Sequence, residues 1–142
     1  INRYILLIVN FFISGFMLGL ILVTQIVSYP LFFKVEVDNF SIFHDDYVSR
    51  ISFIAVPVML GELFISTLVY YYFNTFLGFM ILLSVILIFI STFIIQVPLH
   101  NKLKLANNRK HIIKLVNTNW IRTFLWFVKS IFSILIIFKE II

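Results

Sequence analysis

Glu62 and Lys129 are the two residues of this sequence best able to do acid–base chemistry, because each lies near the middle of a long apolar stretch. A lone charge at the centre of a bilayer costs about 2.5–3.5 kcal/mol on insertion scales. Two opposite charges at one depth are expected to pair. Two chemistries follow, and the residues leave both open. The pair either fixes helix packing or supplies a proton-accepting or ligand-polarising group in an apolar cavity. Glu62 and Lys129 are therefore the catalytic candidates.

A second polar cluster is expected nearer one membrane face, from Gln25, Tyr29, Gln96, His100, Asn119, Trp120 and Arg122. Trp126 shares the face of Asn119 and Arg122, and His44 and Tyr47 join the cluster if the first loop folds over its mouth. Such a cleft offers hydrogen-bond donors, aromatic walls and a cation, which suits a planar or amphipathic ligand arriving from the inner leaflet. The competing reading is an interfacial belt of Trp, Tyr and Arg. His44, His100 and His111 lack the tight spacing of a metal motif, and Asp45-Asp46 adds little to them. There is no CxxCH, Gly-rich phosphate loop, GxSxG or HExxH, so no cofactor is expected, neither haem nor metal.

Four apolar segments must position these residues: about 4–30, 51–73, 76–99 and 119–138. Each reaches the roughly 20 residues a spanning helix needs. The chain of 142 residues is 62% hydrophobic and 12% charged, against roughly 25% charged in a soluble domain. One all-α domain covering 1–142 follows, an integral membrane four-helix bundle. The first segment is too long for a signal-peptide core and lacks a small-residue cleavage site, so it reads as a retained span. Cysteine is absent, which excludes thiol catalysis and disulfides. The net charge of +5 gathers in membrane loops, so no nucleic-acid partner is expected.

Charge also orients the spans. Loops 31–50 and 100–118 with the adjoining helix ends hold Lys34, Arg50, Lys102, Lys104, Arg109, Lys110, Lys114 and Arg122, whereas the opposite side holds Arg3 and Lys139. The positive-inside rule puts both loops in the cytoplasm and both termini outside. The first loop is acidic, with Glu36, Asp38, Asp45 and Asp46, and is expected to attract the second. Its apolar spacing predicts a helix through Phe40, Phe43, Tyr47, Ile51 and Ile54 capped by Asp38 or Asn39. Ile112, Leu115 and Val116 form a shorter apolar face after Asn107-Asn108.

The halves read as a repeat of two helical hairpins. Pro30-Leu31-Phe32-Phe33-Lys34 ends the first span and Pro98-Leu99-His100-Asn101-Lys102 the third, with Gln25 and Gln96 ahead of the prolines. Two spans per unit relate the repeats by an axis along the membrane normal. At 100° per residue, one polar face holds Asn10, Ser14, Thr24, Gln25 and Ser28, and a second Ser52, Met59, Glu62, Ser66 and Tyr70. A third holds Asn119, Arg122, Thr123, Trp126, Lys129, Ser130 and Ser133, while Ser84, Ser91, Thr92 and Gln96 spread more widely. Lipid cannot satisfy these groups, so the faces should turn inward. Gly15 and Gly19 lie on the far side of the first helix as a small-xxx-small pair. Ile51 to Glu62 and Asn119 to Lys129 are similar distances, which puts both charges roughly 15–17 Å deep.

Five motifs together carry a resemblance: Gln25-x3-Tyr29-Pro30-Leu31-Phe32, Phe43-His44-x2-Tyr47, Pro57-x-Met59-x2-Glu62, Thr92-x3-Gln96-x-Pro98-x-His100-x2-Leu103 and Asn119-Trp120-x-Arg122-Thr123-x2-Trp126-x2-Lys129. The chain resembles a bacterial group of small four-helix integral membrane proteins with no assigned activity. More distantly it is similar to the anthrone-oxygenase-like superfamily. That group would carry Arg where this chain has Lys129, which keeps the charge and loses the planar fork. The resemblance implies the four-span fold and a bacterial inner-membrane location, and it implies no activity.

Two functional classes follow. The favoured one is an accessory or structural subunit of a membrane assembly, in contact with lipid and with other membrane subunits or a second copy of itself. Its contact surfaces would be the Phe-rich outer faces and Gly15/Gly19. The alternative is a membrane enzyme or carrier that holds an apolar ligand, such as a quinone, isoprenoid or polycyclic, at the cytoplasmic-side cleft.

Overall fold

In a computed structural model, residues 2–141 are described, with the side chain of Ile141 left out; Ile1 and Ile142, the bounds of the expected domain, lie outside the described residues. Four helices run antiparallel: α1 Arg3–Lys34, α2 Val37–Phe73, α3 Phe76–Leu105 and α4 Arg109–Ile141. All four are long and apolar enough to cross a membrane, which makes the chain a multi-pass, all-α bundle. α4 packs along α1 and α3, and α2 packs along the same two from the other side, so α1 faces α3 across the diagonal. Exposed Phe12, Phe53, Phe64 and Phe76 cover the exterior.

The helices extend beyond the predicted spans. Segments 31–50 and 100–118, expected as partly helical loops, are nearly all helix, and the true connections are residues 35–36, 74–75 and 106–108. The reason is visible in their apolar spacing. Phe40, Leu103, Ile112 and Leu115 are buried against Tyr29, Phe32 and Leu99, which extends the core past the apolar spans. The cap of α2 also falls earlier than Asp38 or Asn39. Glu36 holds the cap position with extended backbone, and Asp38 sits in the first turn, where its charge favours the helix dipole. Asn108 opens α4, its Oδ1 accepting from the Lys110 amide at 2.9 Å. The short turn between α2 and α3 uses Asn74 at φ 42°, a left-handed conformation that Asn tolerates. Thr75 then caps α3 by accepting from the Gly78 amide.

The prolines shape α1 and α3 identically. Each lacks an amide hydrogen and crowds the carbonyl four residues back. Each helix loosens to a π-turn just before its proline, at Thr24–Ser28 ahead of Pro30 and at Thr92–Gln96 ahead of Pro98. Thr24 and Thr92 open these turns and donate their hydroxyls to the carbonyls of Leu20 and Ile88. The shared motif is Thr-x5-Pro-Leu-x2-Lys, which strengthens the repeat. Gln25 and Gln96 are not equivalent within it: one is second in its π-turn and the other last.

The core is layered. Leu6, Leu7, Val69, Ile81 and Ile136 form an apolar layer near the termini. Met17, Ile21, Met59, Ile88 and Trp126 form the middle one, and the aromatic layer at the basic end is the third. Polar layers lie between them. The polar faces of α1 and α4 are buried as the periodicity predicts, with Ser28 and Arg122 half-buried. In α2, Glu62 and Ser66 are buried, but Tyr70 is exposed. It lies two turns past Glu62, near the Asn74 turn, where its ring packs on Phe79 and its hydroxyl needs no interior partner.

Candidate ligand-binding cleft

The first polar layer is the predicted charge pair. Lys129 Nζ stands 3.0 Å from Glu62 Oε1, and both side chains are buried. The network closes around them. Lys129 donates to Ser14 Oγ and to Asn10 Oδ1, Asn10 Nδ2 donates to Ser133 Oγ, and Trp126 Nε1 donates to Glu62 Oε2 at 3.0 Å. Lys129 and Glu62 thus face each other within hydrogen bonds drawn from α1, α2 and α4. Neither lines the cavity enclosed by the second polar layer.

The second polar layer lies toward the basic end. Asn119 Nδ2 donates to Gln25 Oε1 at 2.8 Å, and Gln25 Nε2 donates to the Val116 carbonyl at 3.0 Å. Gln25 and Asn119 are therefore occupied with each other and with backbone. Asn119 Oδ1 accepts from Arg122 Nη1 at 3.3 Å, and the guanidinium stacks on Trp126, its Cζ 5.3 Å from the ring. Gln96 Nε2 donates to Thr118 Oγ1, which itself donates to the Lys114 carbonyl. Thr118 was not singled out in the sequence, although it lies one position before Asn119.

A cavity of about 260 Å³ occupies the space these residues leave. Its floor is Met17, Met59 and Trp126, its far wall is Phe89 and Phe93, and its polar end holds Tyr29, Tyr47, Gln96, His100 and Arg122. Thr24 and Thr92 of the π-turns also line it. Val56, Leu60, Phe93 and Val97 border it while exposed on the outside of the bundle, so it opens sideways between α2 and α3. At this level Thr92–Gln96 packs on α4.

The start of α2 folds back over the polar end of the cavity, the condition on which His44 and Tyr47 were expected to join the cluster. His44 and Tyr47 both reach the cluster. Tyr29 Oη lies 2.9 Å from His100 Nε2, and His100 Nδ1 lies 3.0 Å from His44 Nε2. Phe32 packs edge-on against Phe40, Phe43, His44 and Tyr47. His44 precedes the apolar part of α2. Burial holds its imidazole below the ordinary value, against the upward pull of Asp45, with Lys104 adding to the lowering. No third His, Asp or Glu completes a metal-sized group among the described residues. The expected attraction between the loops is the Asp45–Lys104 pair at 2.8 Å.

Trp120 does not join the cluster. It is 52% exposed, because a helix that turns Asn119 and Thr123 inward must turn the intervening Trp120 outward. The cavity's apolar walls were missed in the sequence. Met17, Ile21 and Phe89 look like ordinary core at helical spacing, and only the two Thr-x5-Pro motifs mark where the helices loosen.

Three polar atoms at the polar end are buried without a hydrogen-bond partner: Tyr47 Oη, Gln96 Oε1 and Arg122 Nε. Among the described residues, no carboxylate pairs with Arg122. Comparison with protein-family models, curated proteins and solved structures finds no match.

Proposed function

We propose that this chain binds a compact apolar molecule with an oxygen-bearing head in the cavity between α2 and α3, as a membrane carrier or enzyme. The observation that carries the reading is the trio of buried, unpartnered polar atoms around one apolar space. Such atoms are rare in native proteins, since each costs about 1–3 kcal/mol unless something pairs with it. Arg122 and Tyr47 suit an oxygen acceptor, Gln96 Oε1 suits a hydroxyl, and the apolar walls suit a ring or the head of an isoprenoid chain. The volume lies below the roughly 300–1,000 Å³ of drug-sized sites, so a longer tail would run out through the lateral opening into lipid.

The orientation belongs to the same proposal. The eight basic residues of one end favour a cytoplasmic position for it, with the termini outside, in the bacterial inner membrane that the resemblance implies. The cleft then draws its ligand from the cytoplasmic leaflet. A reporter fused within 106–108 should register as cytoplasmic, and one fused after the C-terminus as external.

A second reading rests on Gly15 and Gly19, which have no neighbouring atoms around an added Cβ and leave an open strip on α1. An accessory subunit of a larger assembly would use that strip. Purification in a mild detergent with mass spectrometry of everything retained separates the two. A stoichiometric small molecule supports the carrier or enzyme, and a stable larger protein assembly without one supports the subunit.

A further inference from the structure

The cavity's polar end is wired to the rim of the bundle. Tyr29 and His100 line the cavity, and His44 stands behind His100, outside the lining. The three are joined by contacts of 2.9 and 3.0 Å. Two arrangements of hydrogens satisfy both contacts in series, and they are the start and end states of a proton relay; in the one loaded for outward transfer, Tyr29 O–H donates to His100 Nε2, and His100 Nδ1–H donates to His44 Nε2. A neutral His44 accepting at Nε2 carries its hydrogen on Nδ1. That atom is buried and has no partner. The chain therefore ends in a free donor, on the residue adjoining the exposed Asp45.

We infer that Tyr29–His100–His44 is a proton path between the cavity and the basic face of the bundle, and that the ligand head is a hydroxyl that exchanges its proton: a phenol, enol or hydroquinone. The inference rests on the ligand-binding reading of the cavity and narrows its ligand class. The transfer balances without any co-reactant. The ligand O–H gives its proton to the Tyr29 oxygen while Tyr29's own proton passes to His100 Nε2. The His100 Nδ1 proton passes to His44 Nε2, and the His44 Nδ1 proton leaves to a water that must reach this buried atom beside Asp45. One proton enters, one leaves, and the oxyanion remains beside Arg122. Among the described residues, the other titratable or charged groups that act on the path are Tyr47 and Arg122 at the cavity and Asp45 and Lys104 at the rim.

The test uses 4-nitrophenol as the probe, with the protein in nanodiscs and Trp120→Phe as the background. Trp126, in the cavity floor, is then the sole tryptophan, and its quenching reports that the probe is bound. A stopped-flow pH jump follows the phenolate colour of the bound probe, while displacement by excess phenol reports probe release separately. Replacing His44 with Ala should leave quenching in place and slow the bound probe's proton exchange by roughly tenfold or more, in the range of a lost acid–base relay. Added imidazole should restore the rate, which no packing role would do. If His44→Ala fails to fold, His44→Asn carries the same expectation of slowed exchange. Unchanged exchange with the probe bound would overturn the path while leaving the cavity standing. Absence of Trp126 quenching in the parent would overturn the cavity reading and the path with it.

Discussion

The bundle contains two polar layers that differ in one respect. The layer around Glu62 and Lys129 is closed: opposite charges meet at 3.0 Å, and Asn10, Ser14, Ser133 and Trp126 surround them. The layer toward the basic end is open: Tyr47, Gln96 and Arg122 each keep a buried polar atom without a partner, around a cavity. Intramembrane charge alone does not mark a site. An ion pair enclosed by hydrogen bonds behaves as a staple between helices, whereas polar atoms with neither ion-pair nor hydrogen-bond partner beside an apolar space have valences to offer a ligand. Trp126 joins the two layers, bonding Glu62 through its indole nitrogen and carrying Arg122 on its ring.

The largest effect should come from breaking the closed layer. Glu62→Gln or Lys129→Met alone leaves a charge uncompensated and should cost about 3–5 kcal/mol. The double variant should cost less than the sum, read as a coupling energy from unfolding in mixed micelles. Additive costs would mean the pair is not a unit. The double variant should also still bind at the cleft; loss of binding in a folded double variant would move the site into the closed layer.

The open layer should respond in the opposite manner. Tyr47→Phe should change stability by less than about 1 kcal/mol, because it removes a hydroxyl that the fold leaves unpaired, and Arg122→Gln should cost somewhat more, because it also gives up the bond to Asn119 and the stacking on Trp126. Quenching titrations of Trp126 should show affinity for a phenolic probe falling roughly tenfold or more in each, about 1.4 kcal/mol. A large loss of stability with unchanged affinity would make these residues structural.

A smaller effect is expected with pH. His44 is held below its ordinary value by burial, so the unfolded chain binds more protons than the folded one once pH falls below about 6.5. Stability is then present above that pH and lost as pH drops through it. Wild type should lose more stability than His44→Asn on acidification from neutrality, and an equal loss would mean His44 is not buried neutral. The smallest effect belongs to the Asp45–Lys104 pair, whose side chains are 57% and 59% exposed. Lys104→Ala should shift stability by about 0.2–1 kcal/mol and less in high salt.

Much of this was legible in the residues. The polar faces of α1 and α4 and the depth match of Glu62 and Lys129 follow from 3.6-residue periodicity and from counting along two spans, whereas the approach of His44 to His100 was legible only on the condition that the first loop folds back over the cluster. What escaped depends on geometry that periodicity does not carry. Gln25 and Asn119 look as free as Gln96, and which amide ends unpaired is set by contacts between helices remote in sequence. The cavity itself arises where π-turns loosen α1 and α3 ahead of Pro30 and Pro98, and an apolar wall there has the same composition as a packed core.

The central claim is that the open layer takes an apolar ligand with an oxygen-bearing head from the membrane. Benzophenone, an apolar ketone that crosslinks on illumination to C–H bonds within reach, tests it directly. Irradiated with the protein in nanodiscs and mapped by peptide mass spectrometry, it should label Met17, Met59 or the Thr92 segment, all cavity lining. Ala55→Phe, which puts a ring into the cavity wall, should abolish that labelling. Labelling confined to the outer Phe faces, unchanged by Ala55→Phe, would contradict the claim.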